Sequence, residues 1–101
     1  MIVLSAGVFF VVEDEVKVLK CIANDIRFNI LTMLAEEEKC VCELIEELDK
    51  EQSLISHHLQ SLRECGLIKK RREGRRIMYR LADESLPEFL EDVKELSKNY
   101  C

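Results

Sequence analysis

Two cysteines separated by a single residue, Cys40 and Cys42, stand directly before the amphipathic run "ELIEEL". Their thiolates are soft ligands that suit As(III), Cd(II), Zn(II) and Pb(II). On a regular helix, residues i and i+2 point about 200° apart, so both sulfurs reach one ion only if this end of the helix is unwound. We therefore predict a site for a thiophilic metal or metalloid ion at the pair, where a bound ion would distort the start of the helix.

Two other interpretations fit the same pair of cysteines. Paired thiols also respond to oxidants or reactive sulfur by forming disulfides or persulfides, although a disulfide between Cys40 and Cys42 would be strained. In the remaining interpretation, both cysteines are small apolar residues that pack at the start of a helix.

Three more cysteines, Cys21, Cys65 and Cys101, raise the count to five. An odd number at irregular spacing does not fit a secreted disulfide framework, so we expect free thiols in a reducing, cytoplasmic environment. Cys21 is expected to be a small core residue, and Cys65 a core or incidental residue.

Basic residues are concentrated in one short segment of an acidic chain. The net charge is -5, yet seven basic residues and one acidic residue lie from Lys69 to Arg80, so that this segment carries +6 and the remainder -11. A local basic segment of this kind is typical of a surface that contacts nucleic acid. A solvated hairpin without a partner is the alternative.

The length and composition are those of one small, mainly helical domain. The chain has 101 residues, of which 48% are hydrophobic and 35% charged, with one Pro and three Gly. The apolar start, "MIVLSAGVFFVV", is shorter than the roughly 20 residues that span a bilayer, so we expect no membrane partner. We interpret residues 1–12 as an arm that packs on the body, and residues 13–101 as the folded domain.

Periodic apolar residues predict a series of helices. Asn24 is the predicted N-cap of the second helix. After a short third helix, Ser53 is the predicted N-cap of the fourth, which Gly66 ends. Ser85 and Glu88 form a capping-box pattern for the last helix.

A β-hairpin is predicted after the fourth helix. Its turn lies at Glu73-Gly74, and Ile77, Tyr79 and Leu81 recur with a period of two. Two short helices joined by a polar turn and followed by a basic hairpin predict a winged helix. The expected fold is therefore mainly α with a small β-hairpin, a winged helix-turn-helix.

The second helix of the helix-turn-helix has a polar face suited to the major groove of DNA. His58 lies among apolar positions and is expected to be a packed, hydrogen-bonded core residue. Hydroxyl, amide and imidazole groups reach base edges and phosphates, and the arginines of the hairpin suit phosphates or the minor groove. The predicted DNA-contacting residues are Ser53, Ser56, His57, Gln60, Arg71, Arg72, Arg75 and Arg76.

Three segments together resemble one protein family: "LKCIANDIRFNILTML", "CVCELIEEL" and "SLISHHLQSLRECGLIKKRREGRRIMYRL". In order and spacing they resemble the ArsR/SmtB family, the arsenic- and metal-responsive winged-helix repressors, over about residues 16–82. The resemblance implies a homodimer whose first and last helices form the interface. It also implies binding to a two-fold symmetric operator in double-stranded DNA, without a cofactor, and release when an inducer binds.

The resemblance also identifies Cys40-Val41-Cys42 with the C-V-C motif of arsenic- and cadmium-sensing members. The arsenic type adds a third Cys where this chain has Ile45, and the cadmium type uses Cys from an N-terminal arm, which is absent here before Cys21. The last helix has no His for a zinc-type site. Cys101, reaching the pair across the dimer, is therefore the best candidate for a third ligand.

We expect a DNA-binding transcriptional regulator, a repressor that a thiophilic ion releases. Alternatives of the same fold are a repressor that senses redox state or reactive sulfur through its thiols, and a DNA-binding protein without an inducer. A module that binds protein is a rival from another class, against which the +6 hairpin argues. The chain has no Gly-rich phosphate loop, C-x-x-C motif or nucleophile–base pattern, so no enzyme activity is expected.

Overall fold

Five helices and a three-stranded sheet make up the structure, a computed structural model that describes residues 12–101. The predicted arm, residues 1–12, lies outside this range except for its last residue. No helix in this range is long and apolar enough to cross a membrane. In chain order the elements are α1 (Glu13–Ile22), α2 (Asp25–Glu36), β1 (Lys39–Cys40), α3 (Val41–Leu48), α4 (Gln52–Glu64), β2 (Ile68–Glu73), β3 (Arg76–Leu81) and α5 (Leu86–Tyr100).

The predicted winged helix-turn-helix is confirmed, and local signals explain its boundaries. The Asn24 side chain accepts a hydrogen bond from the Arg27 backbone N–H at 3.0 Å and caps α2. Gly66 and Gly74 have φ angles of 80° and 64°, which glycine adopts without steric cost. They lie where α4 gives way to β2 and where β2 turns into β3, the two strands of the wing.

Two predicted caps are wrong. Glu51 has the extended backbone of an N-cap and α4 begins at Gln52, so Ser53 lies inside the helix. Ser85 does precede α5, but no capping box forms. Instead, its hydroxyl donates to Asp83 Oδ1 at 2.7 Å, and its backbone N–H donates to the same oxygen at 2.8 Å. The Asp83 carboxylate thus accepts both hydrogen bonds from Ser85, and these bonds lower its pKa.

The sheet contains a strand that the sequence analysis did not predict. Its order is β1-β3-β2, with both neighbouring pairs antiparallel. In the two-residue strand β1, Lys39 pairs with Tyr79 and Cys40 with Met78. The segment just before α3 is therefore hydrogen-bonded directly to the wing.

The core lies between the helices and the base of the wing. α4 buries one face against this core and leaves the other in solvent, so packing fixes which of its residues remain accessible. The fully buried side chains are Ile30, Leu31, Leu44, Ile55, Leu59, Leu62, Leu90 and Cys40.

Four of the five cysteines are paired, which differs from the expectation of free thiols. Disulfides join Cys21 to Cys65 and Cys40 to Cys42, while Cys101 is free and exposed. Cys21 is buried as expected, but Cys65 is exposed rather than packed. Spacing gave no sign of the first pair because its members are 44 residues apart and meet only where α1 packs on α4.

Candidate nucleic-acid interface and cysteine site

The exposed face of α4 brings together the four helix residues predicted to contact DNA. Ser53, Ser56, His57 and Gln60 are all exposed. Gln60 Nε2 donates to Glu64 Oε2 at 3.0 Å, one turn further along. The face therefore presents hydroxyl, imidazole and amide groups to solvent, which are the groups that read base edges and phosphates.

His58 is the packed, hydrogen-bonded residue that the sequence predicted. It is 6% exposed, and its Nδ1 accepts a hydrogen bond from Arg27 Nε at 2.9 Å. Burial, together with the positive charge of Arg27 and the neighbouring His57, lowers the pKa of His58 below its ordinary value. The neutral imidazole therefore links α2 to the buried face of α4.

This arrangement predicts a loss of stability on mild acidification. The unfolded imidazole binds a proton near pH 6.5, whereas the folded one binds it only at lower pH. Stability from His58 is thus fully present above about pH 6.5 and is lost as the pH falls towards the folded pKa. We expect the free energy of unfolding to fall more steeply between pH 7.5 and 5 in the wild type than in His58→Gln, measured by urea denaturation.

His57, the exposed neighbour of His58, provides the matched control for that prediction. His57→Gln should retain most of the steep wild-type dependence, because burial and Arg27, which lower the pKa of His58 more than His57 does, are unchanged. If the free energy of unfolding had the same pH dependence in the wild type and in His58→Gln, His58 would not be the titrating group.

Two of the four predicted arginines of the wing are engaged by carboxylates of the body. Arg71 donates through Nε and Nη2 to the two oxygens of Glu38 at 3.0 and 2.6 Å, and it also pairs with Glu73 at 3.3 Å. The hydrogen bond from Arg71 is the main reason that the pKa of Glu38 is lowered. Arg76 Nη2 lies 3.5 Å from Glu43 Oε1, a longer contact.

The other two arginines, Arg72 and Arg75, are exposed and form no salt bridge within residues 12–101. Arg72 follows Arg71 in β2, so the two side chains point to opposite faces of the wing. Arg75 lies in the turn. Of the four predicted arginines, these are the two that the fold leaves available to phosphates.

Cys40 and Cys42 converge without any unwinding of α3. Cys40 has extended backbone angles (φ -84°, ψ 164°) and is the N-cap of α3 rather than part of it. The two sulfurs are bonded, with a Cα–Cα distance of 5.2 Å. The expectation that an ion must unwind this end of the helix is therefore wrong, because Cys40 already has extended backbone outside α3.

A capping box surrounds Cys40. Its sulfur accepts a hydrogen bond from the Glu43 backbone N–H at 3.3 Å, while Glu43 Oε1 accepts from the Cys40 backbone N–H at 2.8 Å. Sequence reasoning missed this motif because Ser and Thr, not Cys, are the usual N-caps of the box. The signal was present as Cys40 followed three residues later by Glu43.

The cysteine pair is tied to the wing by its neighbours on both sides. Glu38, just before β1, holds Arg71, and Glu43, just after the pair, contacts Arg76. Burial of Lys39 disfavours its charged form, but Glu47 and Glu37 outweigh this effect and raise its pKa. The pair is therefore flanked in sequence by the two carboxylates that contact wing arginines.

Cys40 and Cys42 offer two potential thiolate donors, and the described part of the chain groups no third donor with them. Within residues 12–101, no three His, Cys, Asp or Glu side chains are grouped so that they could hold a metal ion. Cys101 is a free, exposed thiol directly after α5. Two adjacent thiolates suit a thiophilic ion once reduced, and a third donor must come from outside this cluster.

Apolar side chains are exposed on the first and last helices. Val12, Val16 and Leu19 follow one face of α1, and Leu96 and Tyr100 lie one turn apart on α5; they are between 38% and 80% exposed. A groove between α1, α2 and α5 runs beside them, lined mainly by apolar residues including Leu19, Ile22, Phe28, Phe89 and Val93. This surface has the character of an interface.

Comparisons with known proteins identify sequence relatives. A family model described as "Bacterial regulatory protein, arsR family" matches residues 24–70. An uncharacterized HTH-type transcriptional regulator of Methanocaldococcus jannaschii is 39% identical over 85 residues, which are 83% of this chain and 96% of that protein. The arsenic resistance transcriptional regulator ArsR1 of Pseudomonas putida is 43% identical over 75 residues, 73% of this chain but only 58% of that protein.

A solved structure matches the fold over most of its length. It is the homodimeric winged helix-turn-helix DNA-binding domain of Mb0332 from Mycobacterium bovis, with a TM-score of 0.80 and 30% sequence identity. The match covers 88% of this chain and 82% of that one.

Proposed function

The chain belongs to the ArsR family of bacterial regulatory proteins and is a DNA-binding transcriptional regulator, and we propose that it is a homodimeric, cytoplasmic repressor released from its operator by a thiophilic metal or metalloid ion. One observation carries the proposal: Cys40 and Cys42 lie between the two carboxylates that hold wing arginines. The inducer site and the DNA-binding surface are thus parts of one connected unit.

The recognition helix of this proposal is α4. Its exposed residues enter the major groove, and the wing follows the adjacent backbone. Arg72 and Arg75 neutralise phosphates directly. Arg76 exchanges its 3.5 Å contact with Glu43 for a phosphate, since an exposed ion pair of this kind stabilises the fold by only about 0–1 kcal/mol. Arg71, held by both oxygens of Glu38, orients the wing.

Dimer formation through α1 and α5 accounts for their exposed apolar side chains. A chain of 101 residues buries a limited share of its surface on folding, and an interface adds to it. Two copies related by a two-fold axis present two recognition helices to a symmetric operator. The homodimeric Mycobacterium bovis domain, with the same fold, supports this arrangement.

The reduced Cys40 and Cys42 are the proposed ligands of the inducer, with Cys101 of a second copy as the third. As(III), Cd(II), Zn(II) and Pb(II) all accept thiolates, and the arsenic resistance regulator of Pseudomonas putida is a relative. DNA binding itself needs no cofactor in this proposal. The ion acts as a ligand that favours the conformation with low operator affinity.

The switch runs through Glu43. The Glu43 carboxylate accepts from the backbone N–H of Cys40 and contacts Arg76, and its own N–H donates to the Cys40 sulfur. Repositioning that sulfur to ligate an ion shifts this capping box and, through it, Arg76. The pairing of Cys40 with Met78 transmits the same change along β3.

A second function is favoured by the disulfide between Cys40 and Cys42. Because the fold accommodates the oxidised pair, the same switch would respond to oxidants or reactive sulfur instead of ions. The two functions use the same sulfurs in different states, so a single titration separates them.

The deciding experiment is fluorescence anisotropy of the anaerobically reduced protein on its own promoter duplex. We expect arsenite, Cd(II) or another thiophilic ion to weaken operator binding about tenfold, a typical allosteric coupling. Cys40→Ser and Cys42→Ser should abolish this release because each removes one of the two proposed ligands that adjoin each other in one protomer. Cys101→Ser tests the third.

Cys65→Ser is the matched control and should leave release by the ion intact in the reduced protein. Release by a persulfide or peroxide alone would establish the second function. Tight binding that no ion or oxidant weakens would contradict both and leave a winged-helix regulator without an inducer at these cysteines.

A further inference from the structure

Cys21 and Cys65 form a thiol site that the proposed function does not use. Cys21 lies in the last turn of α1 and is 5% exposed, whereas Cys65 is the exposed C-cap of α4. Their sulfurs are bonded, and the Cα–Cα distance of 6.7 Å lies within the usual range for a disulfide. The backbone positions of the two residues are therefore compatible with a disulfide.

We propose that Cys21 and Cys65 are a second, redox-active pair, oxidised by a small hydroperoxide, whose disulfide fastens the recognition helix to α1. Disulfides that form in a cytoplasmic protein are usually transient and serve catalysis or redox sensing. The effect of this pair on operator affinity rests on the proposed function, whereas formation of its disulfide does not.

The surroundings of the two sulfurs assign them different roles. Both cysteines line a surface pocket of about 590 Å³, which admits a small oxidant, and the exposed Cys65 is the more accessible of the two. Cys21 is buried, with its sulfur 3.5 Å from the Ser61 carbonyl oxygen of α4. Three basic and two acidic residues line the pocket, and nearby positive charge favours the thiolate, the nucleophilic form of cysteine. The lining includes Asp14, Lys17, Lys20, Arg27, Ser61 and Glu64.

The chemistry follows from this asymmetry. The Cys65 thiolate attacks one oxygen of the hydroperoxide, the O–O bond breaks, and the departing oxygen takes a proton to leave as water or an alcohol. The resulting sulfenic acid is attacked by Cys21, the S–O bond breaks, and water leaves with the Cys21 proton. The two cysteines lose two electrons in total and the hydroperoxide gains them. A cellular dithiol reverses the reaction by thiol–disulfide exchange.

The disulfide acts on the geometry that DNA binding needs. Cys65 lies between α4 and β2, so the bond fixes both the end of the recognition helix and the start of the wing relative to α1. Since α1 contributes to the proposed dimer interface, its relation to α4 sets the separation of the two recognition helices. Fixing the position of α1 relative to α4 before DNA binds reduces the conformational entropy that is lost on binding. The oxidised protein therefore binds its operator more tightly than the reduced one.

The test uses the full chain carrying Cys40→Ser, Cys42→Ser and Cys101→Ser, which retains only this pair. The reduced protein is treated with one equivalent of hydrogen peroxide and followed by intact mass, thiol titration and operator anisotropy. We expect both thiols to disappear with the loss of two hydrogens, and operator affinity to rise about fivefold, within the usual range of coupling. Dithiothreitol should restore both the thiol content and the operator affinity of the reduced protein.

Two variants of that protein separate the roles. Cys65→Ala should show no change in affinity with peroxide, and Cys21→Ala should accumulate a sulfenic acid on Cys65 that dimedone traps. Persistence of both thiols under peroxide would overturn the proposal, as would a disulfide that leaves affinity unchanged. Absence of operator binding in either state would instead contradict the repressor function, and mass and thiol content would still decide whether the pair is redox-active.

Discussion

Replacing both Arg72 and Arg75 by alanine should weaken operator binding about 100-fold at moderate salt. A hydrogen bond to a charged group contributes about 1.5 kcal/mol or more, and two such losses amount to about 3 kcal/mol, or two decades in the dissociation constant. Both side chains are exposed and form no salt bridge within the described chain. No carboxylate within residues 12–101 therefore competes with phosphate as their partner.

The salt dependence of operator binding tests specifically whether the two arginines contact phosphates. Each phosphate contact contributes about 0.9 to the slope of log affinity against log salt, so the double variant should lose roughly 1.8 units of slope. Arg71→Ala is the matched control for each lost charge: it removes one positive charge from the same strand as Arg72, but from the side chain that Glu38 holds. A loss of about 0.9 units of slope in Arg71→Ala, the full value for one phosphate contact, would show that the Glu38 pair opens on DNA and that the wing contacts phosphate through its other face.

The fold followed from the sequence where a local signal determines structure. The cap at Asn24, the glycine after α4 and the Gly-containing turn of the wing each act within a few residues, and all three are present. The predicted caps that failed did so for local reasons as well: Asp83 engages Ser85, and the chain enters α4 one residue before Ser53.

The features that connect the sites could not be predicted because they join distant parts of the chain. Glu38 and Arg71 are 33 residues apart, and nothing in either segment alone marks them as partners. The two-residue strand β1 gave no periodic signal, yet it places Cys40 against the wing. The sequence identified the residues that carry out the chemistry, and tertiary packing determined which of them act together.

The recognition helix shows how packing and function depend on each other. The same element must bury Leu59 on one side and present His57 and Gln60 on the other. The orientation of the polar face that carries His57 and Gln60 therefore depends on how the apolar face of α4 packs into the core. Loss of core packing under α4 should therefore reduce DNA binding even when every DNA-contacting residue is intact.

Leu59→Ala should lower the free energy of unfolding by about 3 kcal/mol, from the lost burial and the cavity that remains. The side chain is 1% exposed, and proteins of this size have only about 5–15 kcal/mol of stability. Urea denaturation should show a midpoint lower by about 1–3 M, given the usual slopes for small domains.

Leu54→Ala provides the comparison within the same helix, since Leu54 is 37% exposed and its truncation creates no enclosed cavity. We expect it to cost less than about 1 kcal/mol and to leave operator affinity close to that of the wild type. Equal destabilisation by the two variants would mean that α4 is rotated about its axis relative to this structure. In that case His57 and Gln60 would not share the face that meets DNA, and the assignment of the recognition surface would fail with the packing on which it depends.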